Sequence, residues 1–462
     1  MFPEKWEQFR GFSHVSLTLS SFLRPFRTIC RSLSQGSIDP GQRLKCGADA
    51  MSQEGHALLA GAMEPGQMLN AHEENLDQFA EEVRDFLHEH LTEDLREAGR
   101  YTTGTHSDIG ASCEWHRRLY EKGWIAPHWP VEYGGTGWSV AQRRLFEQAC
   151  ALNEAPILFA GGLRNLGPLL IAVGTDAQKQ KYLPAILSGE HLWCQGFSEP
   201  GAGSDLAALQ IKATREGNVY RLQGTKIWTT GAHLSTHMFC LARTMMNEKP
   251  QQGMTFLLVD MKEAGLTLKP IIGLNGEHEF NQIFFDQVCV PTSERVGAEG
   301  DGWTVAKTLM SHARSSNTTT GHLYRALAAL RRMLAERTTE PALALRLDDL
   351  NIRLTAFDVL EHRCREEAAV TRGHAPAMGA SSMLKTLATE LHQDMSELGA
   401  QIAGVQAVER HEPYLFTRGV NDHGSYQDAT HAMAKYLNMR AASIYSGTSE
   451  IHRNLLARSL GL

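Results

Sequence analysis

Two short segments in the middle of the chain carry residues that suit contact with a flat aromatic ligand. The first, Trp193–Leu206 (WCQGFSEPGAGSDL), begins like a strand, turns at Pro-Gly and continues into Gly203-Ser204-Asp205. Small residues in such a turn let the backbone approach a ligand closely. The second, Gly224–His233 (GTKIWTTGAH), reads as a strand that places the Trp228 indole beside hydroxyl groups, and an indole can stack on an aromatic ring. Each segment also has a simpler interpretation, as a capped loop and as a strand with a core tryptophan.

A third segment, near the carboxyl end, suits a phosphate group. Gly447-Thr448-Ser449-Glu450 opens the last predicted helix. The first N–H groups of a helix have no partner within it, and the helix dipole favours negative charge there, so this start could bind a pyrophosphate. Plain N-capping by Thr448 or Ser449 is an equally good interpretation of the residues alone.

The elements that must position these segments follow a helical, β, helical order. Apolar residues at spacings of three and four predict a helix from Glu73 to about residue 91. Further helices are predicted at about 112–122, 139–153 and 176–188, separated by breaker-rich segments at Pro127–Gly137 and Asn165–Pro168. Between about 191 and 300 the pattern changes to short strands, including 219–222, 226–230, 254–259 and 283–290. After Gly302 long helical patterns return.

Composition excludes several classes of protein. The chain has 462 residues, 42% of them hydrophobic, which predicts two or three packed units. Its formal net charge is −7 with charges interspersed, which argues against nucleic-acid binding. Eight cysteines without CxxC spacing indicate neither a zinc site nor a disulfide framework, so no metal is predicted. No apolar run reaches the roughly 18 residues needed to span a bilayer. A cytoplasmic location is the simplest expectation.

The first 70 residues differ in composition from the rest of the chain. Residues 15–35 contain Ser, Leu and Arg as transit peptides do, but Glu4 and Glu7 precede them, where such peptides are poor in acids. We therefore interpret 1–70 as a disordered extension or as the result of an upstream start codon, with a mitochondrial matrix signal as the alternative.

Taken together and in order, the three segments resemble the acyl-CoA dehydrogenase family. The resemblance spans about Glu73 to Leu462 and also includes the EYGG loop at Glu132–Gly135, the pair Gly302-Trp303 and the ending Ile444–Arg453 (IYSGTSEIHR). It implies an N-terminal helical domain (71–190), a middle β-barrel-like domain (191–300) and a C-terminal four-helix bundle (301–462). It further implies FAD as cofactor, an acyl-CoA substrate, electron-transferring flavoprotein as electron acceptor, and a homo- or hetero-oligomer, dimeric or tetrameric.

The resemblance also assigns site residues. Phe197 and Ser198 would line the flavin ring, Trp228 and Thr230 would flank its other side near N5, and Ser204 would lie near the phosphate arm of CoA. Arg314 would meet CoA as a local cation. The remaining implied FAD contacts are Gly203, Gly447, Thr448 and Glu450.

Dehydrogenation of a thioester needs a base within hydrogen-bonding reach of Cα, and here both positions that the family uses are changed. Most members place Glu before the Gly-Thr of the terminal motif, where this chain has Ser446, a residue that would also adjoin the substrate. A second group places Glu directly before the residue matching Arg314, where this chain has Ala313. His312 is adjacent but points about 100° away on a helix.

No other nearby carboxylate is predicted to replace the missing base. Glu450 is better interpreted as a capping carboxylate, and Glu199 and Asp205 as turn-forming acceptors.

Two further differences from most family members indicate one branch of the family. The family's Arg-Xaa-Xaa-Phe-Gly stretch for FAD is replaced by Thr338–Arg346, and a glycine-rich loop is replaced by Gly404–Asp422. Both resemble a bacterial branch acting on unusual acyl-CoAs, some of whose members form two-gene heterotetramers. The sequence therefore predicts an FAD-dependent acyl-CoA dehydrogenase. Two alternatives stay open: a non-catalytic or supporting subunit of a heteromeric dehydrogenase, and a flavin-dependent oxygenase on the same scaffold.

Overall fold

The N-terminal part is helical. The structure is a computed structural model that describes residues 65–313, 320–337, 340–370, 378–408, 413, 416 and 428–462. The first helices are α1 (Pro65–His90), α2 (Glu93–Arg100), α3 (Ile109–Lys122), α4 (Val140–Leu152), α5 (Gly167–Val173) and α6 (Asp176–Ser188), with a π-helix at Gly161–Leu166. Ser139 and Gln142 form a capping box at the start of α4, and Thr175 and Gln178 form one at α6. These reciprocal bonds satisfy backbone donors that a helix start leaves free.

The breaker-rich segment Asn165–Pro168 is helical, contrary to the prediction from its sequence. The π-helix runs directly into α5, and Pro168 lies in the first turn of α5. Proline has no N–H to donate, and it lies where the π-helical hydrogen-bond pattern gives way to the α-helical one.

The middle part is one eight-stranded sheet. Its strands are β1 (Trp193–Gly196), β2 (Lys212–Glu216), β3 (Val219–Thr230), β4 (His237–Arg243), β5 (Met254–Asp260), β6 (Leu266–Ile272), β7 (His278–Pro291) and β8 (Arg295–Val296). Their order is β6-β7-β3-β2-β4-β5-β8, with β1 paired in parallel to β4. β4 and β5 are nearly continuous apolar runs because both of their faces are buried.

The two short strands predicted at 219–222 and 226–230 are one strand, β3. It pairs antiparallel with β7 and keeps pairing across Gly224, with register shifts after Leu222 and after Lys226. Such shifts mark β-bulges, which bend a strand and redirect a side chain. The second shift lies beside Trp228, so the irregularity falls at a predicted site residue.

The C-terminal part returns to helices. They are α7 (Gly302–Ala313), α8 (Thr320–Arg337), α9 (Pro341–Val370), α10 (Met378–Ala403), α11 (Asp428–Met439) and α12 (Ser449–Ser459). α10 packs against α8, α9, α11 and α12, and α8 also packs against α4 of the N-terminal part. α10 is therefore the centre of the bundle, and α8 links it to the N-terminal helices.

Two apolar cores hold these parts together. The first joins the N-terminal helices, the sheet and α7, from Phe79 to Leu309. The second lies within the C-terminal helices and includes Leu330 and Met395. No helix in the described ranges is long and apolar enough to cross a membrane.

Candidate active site

A cavity of about 1640 Å³ lies between the two cores. Members of both contribute to its wall, Phe197 and Leu309 from the first and Leu330 and Met395 from the second. Pockets for a single small ligand usually measure about 300–1,000 Å³. The cavity therefore has room for more than one ligand.

Most of the residues that the sequence singled out meet in this cavity. Those on its wall are Phe197, Ser198, Gly203, Ser204, Trp228, Thr230, Ser446 and Gly447. Segments about 250 residues apart in sequence, the β1 loop and the terminal motif, thus face one space. Thr448 and Glu450 lie next to this wall in sequence but are not part of it. Their contact with a cofactor stays a prediction.

Trp228 is held in an unusual conformation on the cavity wall. Its φ is 60°, in the left-handed region that large residues rarely adopt, and it lies at the bulge between Lys226 and Thr229. Although it is a strand residue beside a buried core, 58% of its surface is exposed. Its indole contacts the Phe280 ring edge-on, with centroids 6.1 Å apart. Strain of this kind persists where the surroundings enforce it, often at ligand sites, and an exposed indole on a cavity wall suits stacking on an aromatic ring.

A buried ion pair fixes the strand that carries Trp228 against the loop that carries Ser198. Lys226 is fully buried, and its Nζ donates to Glu199 Oε1 at 2.9 Å and to the Phe197 carbonyl at 2.8 Å. Ile227 N donates to the Ser198 carbonyl at 3.0 Å. Glu199 also accepts hydrogen bonds from the backbone N–H groups of residues 210 and 211, at 2.6 and 3.0 Å.

Glu199 is therefore a structural acceptor rather than a free base, as its sequence context predicts. Asp205 precedes a short 3-10 turn at Leu206–Ala208, but its side chain makes no capping hydrogen bond to that turn, so its role as an acceptor stays a prediction. Sequence reasoning placed Lys226 in the strand but gave it no role. The only sign of its role in the sequence is that it lies two residues before Trp228 on a half-buried strand.

The terminal motif combines a backbone turn with a capped helix. Ser446 and Gly447 have φ values of 56° and 90°, so the chain reverses just before α12. A Cβ on Gly447 would come within 2.8 Å of His452 Nε2, which explains the need for glycine. Thr448 caps α12 by accepting from Ile451 N at 3.2 Å. N-capping is thus the geometry seen for Thr448. Glu450 lies in the first turn of α12, where its carboxylate complements the helix dipole.

Lys385 on α10 anchors this turn, and sequence reasoning did not find it. Its buried Nζ donates to the Ala442 carbonyl at 2.8 Å and to the Gly447 carbonyl at 3.0 Å. Burial lowers its pKa to about 8, while the charge of Glu450 acts in the opposite direction. A lysine within a helix normally lies on the solvent face, so its sequence context gave no sign of this role.

Replacing Lys385 with methionine is expected to lower the free energy of unfolding by about 1–3 kcal/mol, because two buried carbonyls lose their donor. The turn at Ser446-Gly447 should loosen with it, and urea unfolding measures the loss of stability. Lys212→Met, at an exposed position on β2, is the matched control. Equal free energies of unfolding in the two variants would contradict the anchoring role.

Of the two predicted base positions, only Ser446 has a described side chain, and it lies on the cavity wall. Ala313 is the last residue of α7, and His312 precedes it; the side chains of both lie outside the described residues. Arg314 also lies outside them.

Within the described ranges no group of three His, Cys, Asp or Glu side chains could hold a metal ion.

His392 adds a pH-sensitive group to the wall. Burial, aided by the charge of Lys435, lowers its pKa to about 4 from 6.5. The unfolded chain therefore binds more protons than the folded one between these values, and the free energy of unfolding falls as the pH drops from about 6.5 to about 4. His392→Gln should remove up to about 3 kcal/mol of this dependence, measured by urea unfolding across the range. Parallel curves for both proteins would show that His392 does not titrate this way.

Comparison with known proteins places most of the chain in one family. Models of the acyl-CoA dehydrogenase N-terminal, middle and C-terminal domains match residues 73–190, 194–288 and 300–461. The chain is 33% identical over 403 residues to acyl-CoA dehydrogenase IpdE1 of Mycobacterium tuberculosis, covering 84% of this chain and 98% of that protein. It is 30% identical over 261 residues to the mitochondrial isovaleryl-CoA dehydrogenase of Pongo abelii, covering 55% and 59%.

Solved structures show the same fold. A protein described as the Tcur3481-Tcur3483 steroid ACAD superposes with a TM-score of 0.71 at 24% identity, covering 87% of this chain and 98% of that one. The ChsE4-ChsE5 complex from Mycobacterium tuberculosis superposes with a TM-score of 0.67 at 24% identity, covering 87% and 99%. The three-part order of helices, sheet and helices is therefore an arrangement known from solved proteins.

Proposed function

Because this chain belongs to the acyl-CoA dehydrogenase family, we propose that it oxidises an acyl-CoA thioester to the α,β-enoyl thioester with FAD as cofactor. The observation that carries the proposal is one cavity onto which Ser198, Trp228, Thr230 and Gly447 all face. FAD, when bound, would accept the hydride that leaves the β-carbon. The residues present fit this cofactor, because the strained, exposed Trp228 offers an indole for stacking and the turn at Gly447 opens the N-terminus of α12.

The chain's own groups have three tasks in this reaction. The Lys226–Glu199 pair holds the β1 loop and the Trp228 bulge together as one rigid wall. Lys385 holds the turn at Gly447. The apolar side chains that both cores contribute to the wall, such as Phe197 and Leu330, would pack against the bound ligands and displace water from them.

The remaining task is removal of the α-proton. Family members use a carboxylate at one of two positions for it, and this chain has Ala313 and Ser446 at those positions. Ser446 cannot take a proton at neutral pH, and a positioned base typically contributes 10²- to 10⁴-fold to the rate. We infer that either a carboxylate at another position or a partner subunit supplies the base.

A supporting-subunit role is the second candidate. The absence of both family carboxylates favours it, and one structural neighbour is a two-protein complex, ChsE4-ChsE5. In this case flavin reduction by acyl-CoA would require co-expression with a paralogue.

We further propose electron-transferring flavoprotein as the acceptor that reoxidises the flavin, on the basis of family membership.

The test is anaerobic reduction of the bound flavin by a panel of acyl-CoAs, with the protein alone and co-purified with a paralogue. Bleaching by the protein alone identifies a complete dehydrogenase. Bleaching only with the paralogue identifies the supporting-subunit role. Substrate-dependent oxygen consumption by the reduced flavin would instead identify an oxygenase.

A further inference from the structure

The outward side of α9 carries an apolar stripe where a surface helix normally carries polar side chains. Leu345, Ile352 and Val359 follow one another at intervals of seven residues, and they are 69%, 67% and 46% exposed. Seven residues are about two helical turns, so the three side chains lie on one side of the helix. The residues through which α9 joins the second core lie on the other side, and they are Leu347, Leu350, Leu354 and Phe357. An exposed apolar repeat of this kind is typical of helices that pair lengthwise.

One anion and one cation lie on the same side of α9 as this stripe. Asp348 and Arg363 are exposed, and neither forms an ion pair with any residue that the structure describes. They are about 22 Å apart along the helix, too far to pair with each other. Neighbouring charges differ, since Asp349 contacts Arg353 at 3.6 Å and Arg353 contacts Asp394 at 2.7 Å. The stripe is therefore flanked by two opposite charges whose counterions must come from elsewhere.

The apolar part of this face matches a second copy of itself that runs in the opposite direction. When the two-fold axis passes between Thr355 and Ala356, Ile352 of each copy faces Val359 of the other, because both lie about 5 Å from the axis. Thr355 and Ala356 are small and exposed, so the two helices approach closely where they meet. A two-fold interface is self-complementary, and each of these contacts therefore occurs twice.

The two flanking charges match in the same register. Asp348 and Arg363 both lie about 11 Å from the axis, on opposite sides of it, so Asp348 of each copy faces Arg363 of the other. A parallel pair would instead place Asp348 against Asp348 and Arg363 against Arg363. Like charges that face each other suppress a wrong pairing, and opposite charges fix the register of the right one. The charges of α9 thus favour its antiparallel partner.

We propose that this chain binds a second copy of itself through the outward side of α9, with the two helices antiparallel about a two-fold axis between Thr355 and Ala356. The apolar stripe supplies most of the attraction, because exposed ion pairs contribute little. The two ion pairs between Asp348 and Arg363 set the direction and the register. Leu345, one turn before Asp348, covers the hydrocarbon part of the Arg363 side chain of the second copy. This inference does not depend on the proposed reaction, because it rests on the surface of α9 alone.

The first test is sedimentation velocity of the purified full-length chain over a range of concentrations. We expect Asp348→Arg to weaken this association about 10- to 100-fold, because both ion pairs of the interface become repulsive. Arg363→Asp should weaken it to a similar extent. The double variant, Asp348→Arg with Arg363→Asp, should restore it, since opposite charges face each other again. Asp77→Arg, at an exposed position on α1, is the matched control.

A cross-linking test locates the axis. The thiols introduced by Ala356→Cys would meet beside the axis, within reach of a disulfide, whereas those introduced by Leu345→Cys would be about 30 Å apart. Both substitutions are made together with Cys113→Ser, because Cys113 is exposed. We expect mild oxidation to cross-link two copies of the Ala356→Cys variant and to leave the Leu345→Cys variant uncross-linked.

Recovery in the double variant separates loss of the interface from loss of the fold, because a second charge reversal would not repair a folding defect. Undiminished association of the Asp348→Arg variant, a double variant that stays dissociated, or no cross-link at position 356 would overturn the proposal. A wild-type chain that stays monomeric alone and assembles only with a paralogue would also overturn it, and would assign the face to that other protein. Association through a different face would appear as a separate step that none of these substitutions changes.

Discussion

Ser446→Glu is expected to raise the rate at which an acyl-CoA reduces the flavin of the chain alone about 10²- to 10⁴-fold when the base normally comes from a partner subunit, because that is the usual contribution of a positioned base. Ser446 lies on the cavity wall, at the turn before Gly447, and its φ of 56° is already fixed by that turn. The new carboxylate would enter the position from which most family members take the α-proton. The measurement is stopped-flow reduction of the flavin under anaerobic conditions.

Ser446→Gln is the matched control, since it has the size of glutamate but cannot accept a proton. If both variants reduce flavin at the native rate, a base within this chain already removes the α-proton, and a partner subunit is not its source. Ala313→Glu tests the second family position in the same assay. A gain with only one of these substitutions would show from which side the α-proton is removed.

Lys226→Met is expected to lower the free energy of unfolding by about 3–5 kcal/mol, because it leaves the Glu199 carboxylate buried without its partner. Lys226 is fully buried and Glu199 is 8% exposed, so water cannot replace the lost contact. The Phe197 carbonyl loses a donor as well, and the β1 loop should separate from the Trp228 strand. Urea unfolding at a fixed FAD concentration measures the first effect, and flavin retention measures the second.

The double variant Lys226→Met with Glu199→Gln removes the uncompensated charge. It should recover part of the lost stability, because most of the cost comes from the buried carboxylate rather than from the missing contact. A loss below about 1 kcal/mol for Lys226→Met alone would mean that the pair behaves like an exposed one.

Much of the fold could be predicted from local patterns. The helix predicted at 176–188 has those bounds as α6, because Thr175 and Gln178 mark its start and Gly189 its end. The change to a sheet after residue 191 and back to helices after Gly302 is also as predicted. Capping residues and apolar periodicity act over a few residues, so a sequence records them directly.

Features that depend on distant partners could not be predicted in this way. The left-handed Trp228 results from a mismatch between β3 and β7, which no property of the segment around residue 228 shows. Lys385 reads as a surface lysine, and only the fold brings the Ala442 and Gly447 carbonyls to it. The cavity wall likewise brings together Arg164 and Arg325, which are far apart in the chain.

The visible spectrum shows whether this chain is an FAD-dependent acyl-CoA dehydrogenase whose base is not at Ala313 or Ser446. The purified protein, alone and with a co-expressed paralogue, is titrated with mixed acyl-CoAs without oxygen. We expect a flavin band that bleaches in at least one preparation and still bleaches after Ser446→Ala. A protein without flavin, a flavin that no acyl-CoA bleaches, or bleaching abolished by Ser446→Ala would contradict this expectation.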